Sequence, residues 1–254
     1  MTIQSNHKTF TINEIASICD HTFLLRSEQY KDKVLPGQSC AQLREKDFWS
    51  FMEETIALPC RPYGICIRPE DCIHADYFLR SKKFIDNFQL VSVVGFPDGA
   101  WVPTGLKLAE AEFALANGAS EIDMVLSVSA LKSRNSRAVE ADVLPLVKAC
   151  HEKNAILKLI FEIGVLNEDE QRLACQIAEF CGADFIKTSS GFSGVGATEE
   201  ALILMRKHFS RGIKISGGVS GSNVNQFLHI LKVTELDPRK IRIGESSLLG
   251  GAVG

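Results

Sequence analysis

A closed barrel of eight parallel strands wrapped in helices, a single-domain TIM (β/α)8 barrel spanning residues 1–254, is the fold that the sequence predicts. Three observations predict it. Short apolar runs alternate with amphipathic helical stretches along the whole chain. Most of the runs are continuous in Ile, Val and Leu rather than alternating, as strands buried on both faces must be. Eight such strands in 254 residues match the size and rhythm of that barrel. An open doubly wound sheet is second on rhythm alone. No Pro/Gly-rich linker or change of composition divides the chain.

The strand series opens near Ser17–Asp20 and continues with Tyr63–Ile67 (YGICI), Leu90–Val94 (LVSVV) and Glu121–Leu126 (EIDMVL). Ile156–Phe161 (ILKLIF), Asp184–Thr188 (DFIKT), Gly212–Ile215 (GIKI) and Ile241–Ile243 (IRI) complete it. Among the helices, Leu106–Asn117 repeats Leu106, Ala109, Phe113 and Ala116 at helical spacing as a candidate buried stripe, with Gly118 at the C-cap. Glu168–Phe180 follows a candidate N-cap at Asn167 and stops before Gly182. Thr198–His208 and Ser222–Leu231 follow, the latter opened by Ser222 or Asn223. The charged segment Arg26–Glu54, with Pro36-Gly37, fits the rhythm least and predicts one or two helices without chemistry.

Lys and Arg number 28 against 31 Asp and Glu, a net charge of −3, and 45% of residues are hydrophobic. That apolar share builds a large core and excludes a disordered chain. The charge balance lacks the basic face of a nucleic-acid binder, and no apolar run approaches a membrane span. The polar start MTIQSNHKTF lacks the apolar stretch of a signal peptide, so a cytoplasmic location is expected. Eight scattered cysteines contain no CxxC pair, and Cys60, Cys66 and Cys72, six apart, have no histidine set beside them. They read as reduced thiols, not as a metal site.

Lys158, Lys187 and Lys214 lie inside strands that should be buried. One such lysine can snorkel from a strand end, but three on successive strands point to a site. Desolvation and a neighbouring ammonium both disfavour the charged form, and a neutral amine is a nucleophile for carbonyl carbon. Asp123, a charge in an apolar strand, is the candidate proton shuttle beside them. The late strands run into small-residue loops: Thr188–Gly191, Ser216–Val219 and Gly244–Leu248. Such loops after the last strands of a barrel build phosphate sites, because glycine lets backbone N–H groups approach the anion. Lysines and loops together imply a phosphorylated substrate carrying an aldehyde or ketone. His21 reads as a structural strand-end histidine.

The segments DHTFL (Asp20–Leu24), ICIRP (Ile65–Pro69), VVGFPDGA (Val93–Ala100), EIDMVLSVSALKS (Glu121–Ser133), LKLIFE (Leu157–Glu162), GADFIKTSSGF (Gly182–Phe192), IKISGGV (Ile213–Val219) and RIGESSLL (Arg242–Leu249) resemble deoxyribose-phosphate aldolases. The match runs in register from about residue 18 to 249. The resemblance implies a class I aldolase that joins acetaldehyde and D-glyceraldehyde 3-phosphate reversibly into 2-deoxy-D-ribose 5-phosphate. It assigns the Schiff base to Lys187, and proton transfer to Lys214 and Asp123. Asp20, Cys66 and Lys158 match pocket residues, and Gly191, Gly217, Gly218, Gly244, Ser246 and Ser247 match the phosphate set. No cofactor and no metal is implied, the iminium being the electron sink. The implied partners are the small aldehyde and sugar-phosphate substrates, with no nucleic acid or membrane, and a homodimer as the assembly to look for.

The sequence departs from the family pattern at several points. Ile163 stands where a Thr is expected after Glu162, and Ile215 where a small residue is expected. Both are candidates for a reshaped pocket. Arg68 and Asp98 replace residues that are usually uncharged or a Leu or His, respectively. Some relatives end in a tail whose terminal tyrosine assists proton transfer, whereas this sequence ends in GGAVG. Two alternatives therefore stay open: a lysine aldolase with another donor or phosphorylated acceptor, and a non-catalytic sugar-phosphate-binding barrel.

Overall fold

The computed structural model describes residues 8–250. Residues 1–7 and 251–254, which hold most of the polar start and of the tyrosine-free end, lie outside the described residues. Eight strands close into one parallel barrel in sequence order. They are β1 (Cys19–Thr22), β2 (Gly64–Ile67), β3 (Gln89–Val94), β4 (Glu121–Val125), β5 (Ile156–Ile160), β6 (Phe185–Lys187), β7 (Gly212–Ser216) and β8 (Ile241–Glu245). The β1–β8 pairing, with Asp20 opposite Gly244, closes the ring.

The helices are α1 (Ile12–Ala16), α2 (Cys40–Ala57), α3 (Cys72–Ser81), α4 (Thr104–Ala116), α5 (Val128–Lys132), α6 (Ser136–Glu152), α7 (Glu168–Cys181), α8 (Glu199–His208) and α9 (Val224–Ile230). The local signals do their expected work at α7. The Asn167 side chain accepts from the Glu170 N–H at 3.0 Å, the Glu170 carboxylate accepts from the Asn167 N–H at 2.8 Å, and Gly182 ends the helix at φ 82°. Thr198 caps α8 through its hydroxyl alone, which accepts from the Ala201 N–H at 3.2 Å. The charged segment after β1 forms a 3-10 turn at Ser27–Tyr30 and then α2. β1 starts two residues later than expected, because Ser17 is spent as the C-cap of α1.

Strand side chains alternate between two environments. Outward ones such as Ile213 and Ile215 join the helices in the main apolar core, while the inward Lys214 and Ser216 face the barrel axis. This corrects the reading of Ile215 and Ile163 as pocket residues. Both are buried members of the outer core, and Ile163 is fixed there by its N–H donating to the Thr188 carbonyl at 3.0 Å.

The buried face of α4 is also not the expected one. Leu106, Ala109, Phe113 and Ala116 are exposed, and Lys107, Ala111 and Ala114 face the barrel. The small alanines let α4 sit close to β3 and β4. Lys107 fills the remaining space by donating to the Val125 carbonyl at 3.1 Å and to Asp142 Oδ2 at 2.5 Å. With both partners in place the buried ammonium is tolerated there.

Candidate active site

Inside the barrel the ionisable residues meet in one connected network. Asp123 on β4 is its centre: Oδ1 accepts from Lys158 Nζ at 2.8 Å, and Oδ2 accepts from Lys187 Nζ at 3.0 Å and from Lys214 Nζ at 2.7 Å. Lys214 also pairs with Asp20 Oδ2 at 2.6 Å, and Lys158 with Glu121 Oε2 at 2.5 Å. Arg242 on β8 closes the far side by bridging Asp20 and Glu121, the latter at 2.9 Å, with its guanidinium 4.0 Å from the Tyr63 ring centre. Strand register makes these meetings possible. Asp123 is paired with Lys158 across β4–β5, Lys187 with Lys214 across β6–β7, and Lys214 with Arg242 across β7–β8.

The lysines converge on Asp123, the carboxylate expected beside them, and Asp20 and Glu121 add two further carboxylates that the sequence reading does not place among the charges. Burial pushes the Asp123 carboxyl up, but the ammonium groups of Lys158, Lys214 and Lys187 overcome it and hold Asp123 well below the ordinary carboxylate range. Asp20 is likewise raised by burial and brought down to about 2 by Arg242, Lys214 and Lys158. Burial pulls Lys214 down, and Asp123 with Asp20 more than reverses this, so Lys214 lies above its ordinary value. Lys158 is raised in the same way by Asp123 and Glu121.

Above the network lies a cavity of about 240 Å³ at the C-terminal ends of the strands. Lys187 is on its wall, together with Gly191, Gly217, Gly218, Gly244 and Ser246. Asp123, Lys214, Asp20, Cys66 and Lys158 are buried beneath and do not line it. Ser247 is one step beyond the lining. Gly244 faces inward where an added Cβ would stand 3.1 Å from Lys214 Cε, so the absence of a side chain there makes room for that lysine. Gly218 has φ +68° and open space where a side chain would stand, a left-handed shape that favours glycine.

Hydroxyls stitch the two preceding loops together. Thr188 Oγ1 donates to the Ser216 carbonyl at 2.7 Å, and Ser216 Oγ donates to the Ser189 carbonyl at 2.6 Å. Buried Glu162, left-handed at φ 59°, accepts from the Ser190 N–H at 3.2 Å, from Ser190 Oγ, and from Ser193 Oγ at 2.8 Å. It fixes the start of the Gly191 loop.

His21 is structural as expected: its Nδ1 bonds Glu245 Oε1 at 2.6 Å and its ring stacks on Phe51 at 4.8 Å. Cys66 sits in a small apolar cluster with Leu24, Val91 and Val93, its Sγ 3.9 Å from Asp123 Oδ2, and burial pushes its thiol up. Arg68 pairs with Glu70 at 2.9 Å, and Asp98 accepts from the Ala100 N–H at 3.2 Å. Glu121, Arg242 and Glu162 are the site residues that sequence reasoning does not single out. The first two carry the same signal as the lysines, a charge inside a buried strand.

Residues 79–241, well over half of the chain, match the model of the DeoC/LacD family of aldolases. The deoxyribose-phosphate aldolase of Halalkalibacterium halodurans is 37% identical over 207 residues, covering 81% of this chain and 83% of that protein. The enzyme of the same name from Thermococcus kodakarensis is 42% identical over 159 residues, 62% of this chain and 70% of that one. A solved structure described as a putative deoxyribose-phosphate aldolase, from Coccidioides immitis, superposes with a TM-score of 0.72 at 28% identity, over 96% of this chain and 88% of that one. The tetrameric deoxyribose phosphate aldolase of Aeropyrum pernix superposes with a TM-score of 0.71 at 25% identity, over 94% and 91% of the two chains. A closed parallel barrel, an amine on the wall of its C-terminal cavity and these matches lead to one assignment: the chain belongs to the DeoC/LacD family of aldolases.

Proposed function

We propose that the protein is a class I aldolase that cleaves 2-deoxy-D-ribose 5-phosphate reversibly into D-glyceraldehyde 3-phosphate and acetaldehyde, with Lys187 as the Schiff-base nucleophile. One observation carries the assignment of the nucleophile. Of the three strand lysines, Lys187 alone lines the cavity, and it shares Asp123 Oδ2 with Lys214. Charge balance supports it. Among the described residues, Lys158, Lys187, Lys214 and Arg242 form ion pairs with Asp20, Glu121 and Asp123 alone, so the fully ionised set carries one surplus positive charge. Conversion of Lys187 into a neutral carbinolamine leaves the remaining ions balanced.

In the cleavage direction the free amine of Lys187 adds to C1 of the open-chain sugar, and loss of water gives an iminium. Removal of the C3 hydroxyl proton breaks the C2–C3 bond, and the electron pair passes into the iminium to give an enamine. D-Glyceraldehyde 3-phosphate leaves. Protonation of the enamine carbon and hydrolysis then release acetaldehyde and restore the amine. Asp123 and Lys214, hydrogen-bonded to each other beside Lys187, relay these protons. The loops of Gly191, Gly217, Gly218 and Gly244 with Ser246 hold the phosphate through backbone N–H groups, and Ser247 extends the set outward. Asp20, Lys158 and Cys66 act from beneath: Asp20 and Lys158 set the charge around Asp123 and Lys214, and Cys66 fills space.

Borohydride reduction in the presence of acetaldehyde tests this directly: mass analysis should find one ethyl group on Lys187. The absence of that adduct would leave a sugar-phosphate-binding barrel as the better reading. The exposed Ile73, Tyr77, Leu106 and Phe113 on α3 and α4 support self-association, with a homodimer as the smallest form to look for by light scattering.

A further inference from the structure

A second cavity, of about 440 Å³, opens beside the first at the same end of the barrel. The two share Ser190 and Phe192 and no other lining residue. Phe192 stands edge-on to Phe96, with ring centres 5.1 Å apart and planes at 86°, so it is a partition one side chain thick. It is 41% exposed, open to the cavities on either side.

Most of the charged groups of the second chamber already have partners. Glu162 is taken by Ser190 and Ser193, Asp98 by the Ala100 N–H, and Lys132 donates to the Val165 carbonyl while pairing with Glu170 at 3.7 Å. Beside Ser129 and the half-exposed Lys132, much of the remaining lining is apolar, including Pro97, Ala100, Val125, Val128 and Val165. Among the described residues, the first cavity carries no lysine or arginine besides Lys187. Beyond the reacting carbon it therefore offers an incoming aldehyde a choice between a neutral backbone cradle and the phenyl wall.

We propose that Phe192 is a specificity-determining gate, and that the chamber behind it receives the apolar tail of longer unphosphorylated aldehydes whose carbonyl is held by Lys187. The inference rests on Lys187 being the Schiff-base lysine. A tail that displaces the phenyl ring exchanges one apolar surface for another, and chain length decides how much of the second chamber is filled.

Borohydride trapping at Lys187, with acetaldehyde and hexanal compared by mass at matched concentrations, supplies the test. Phe192→Ala should raise the hexanal-to-acetaldehyde ratio of Lys187 adducts by roughly tenfold, the discrimination expected of a few methylenes in an apolar pocket. Adding Ala100→Phe, or separately Val128→Phe, should return the ratio to the wild-type value by filling the chamber from its far side. An unchanged ratio in Phe192→Ala, or a gain that survives both filling substitutions, would overturn the gate while leaving the aldolase reading intact. A wild-type protein that gives no acetaldehyde adduct would overturn both.

Discussion

Lys187 and Lys214 donate to the same oxygen, Asp123 Oδ2, at 3.0 and 2.7 Å. Two amines held to one acceptor cannot change charge independently. When Lys187 becomes an iminium or an enamine, Lys214 and Asp123 are the groups that respond. Replacing Lys214 with Leu removes that response and leaves Asp20 and Asp123 facing one cation fewer. The rate of sugar cleavage should fall by roughly 10²–10⁴-fold. Stability should also fall, by about 3–5 kcal/mol, because buried carboxylates lose a partner. Steady-state kinetics and urea unfolding of the variant separate the two effects.

Arg242 bridges Asp20 and Glu121 with two arms of one rigid fork. Arg242→Lys keeps the charge and loses the fork, since a single ammonium cannot occupy both positions. Urea midpoints should shift to a loss of about 1–3 kcal/mol, and the kcat of the folded variant should drop as Asp20 is freed to move against Lys214. Unaltered kcat and midpoint would show that the bridge is dispensable.

The pH dependence of stability follows from the same network. The folded values of Asp20 and Asp123 lie below those of an unfolded chain, Asp20 at about 2. Their contribution is therefore complete above the unfolded carboxylate value near 4 and is lost as pH falls toward 2. Lys214 and Lys158 are raised, so their contribution is complete below the unfolded lysine value of about 10.4 and is lost above it. Unfolding free energy measured from pH 2 to 11 should show a plateau with both flanks falling.

Glu162 holds the Ser190 N–H and two hydroxyls in a left-handed turn next to Gly191. Glu162→Gln turns charge-assisted acceptance into neutral acceptance at three donors. The loss is about 1–3 kcal/mol of loop order, which should raise KM for the phosphorylated sugar by roughly tenfold with a smaller change in kcat. A change confined to kcat would place Glu162 in the chemistry instead.

The sequence makes part of this site legible for a simple physical reason. A charge in a continuous apolar run has no inexpensive explanation, and Lys158, Lys187, Lys214 and Asp123 all stand in such runs. Glu121 and Arg242 obey the same rule, and Glu121, two residues before Asp123, shares its face of the strand. What the sequence does not contain is the pairing. The Arg242 bridges span 121 and 222 residues of chain, and only the closed register brings them together. The α4 face shows a different limit. Helical spacing marks Leu106 and Phe113 as one stripe, and only the distance to the sheet selects the stripe of alanines with Lys107 instead.

Most of the greasy filling of this molecule sits in the sleeve between strands and helices, with only a small cluster around Cys66 inside the barrel. Most of the apolar packing therefore lies apart from the cavity, and only the buried charge network serves both the fold and the aldehyde. Rim segments such as the one carrying Phe192 can be exchanged by grafting while the sleeve stays untouched. New carbonyl chemistry can accordingly be installed at the mouth without renegotiating the fold.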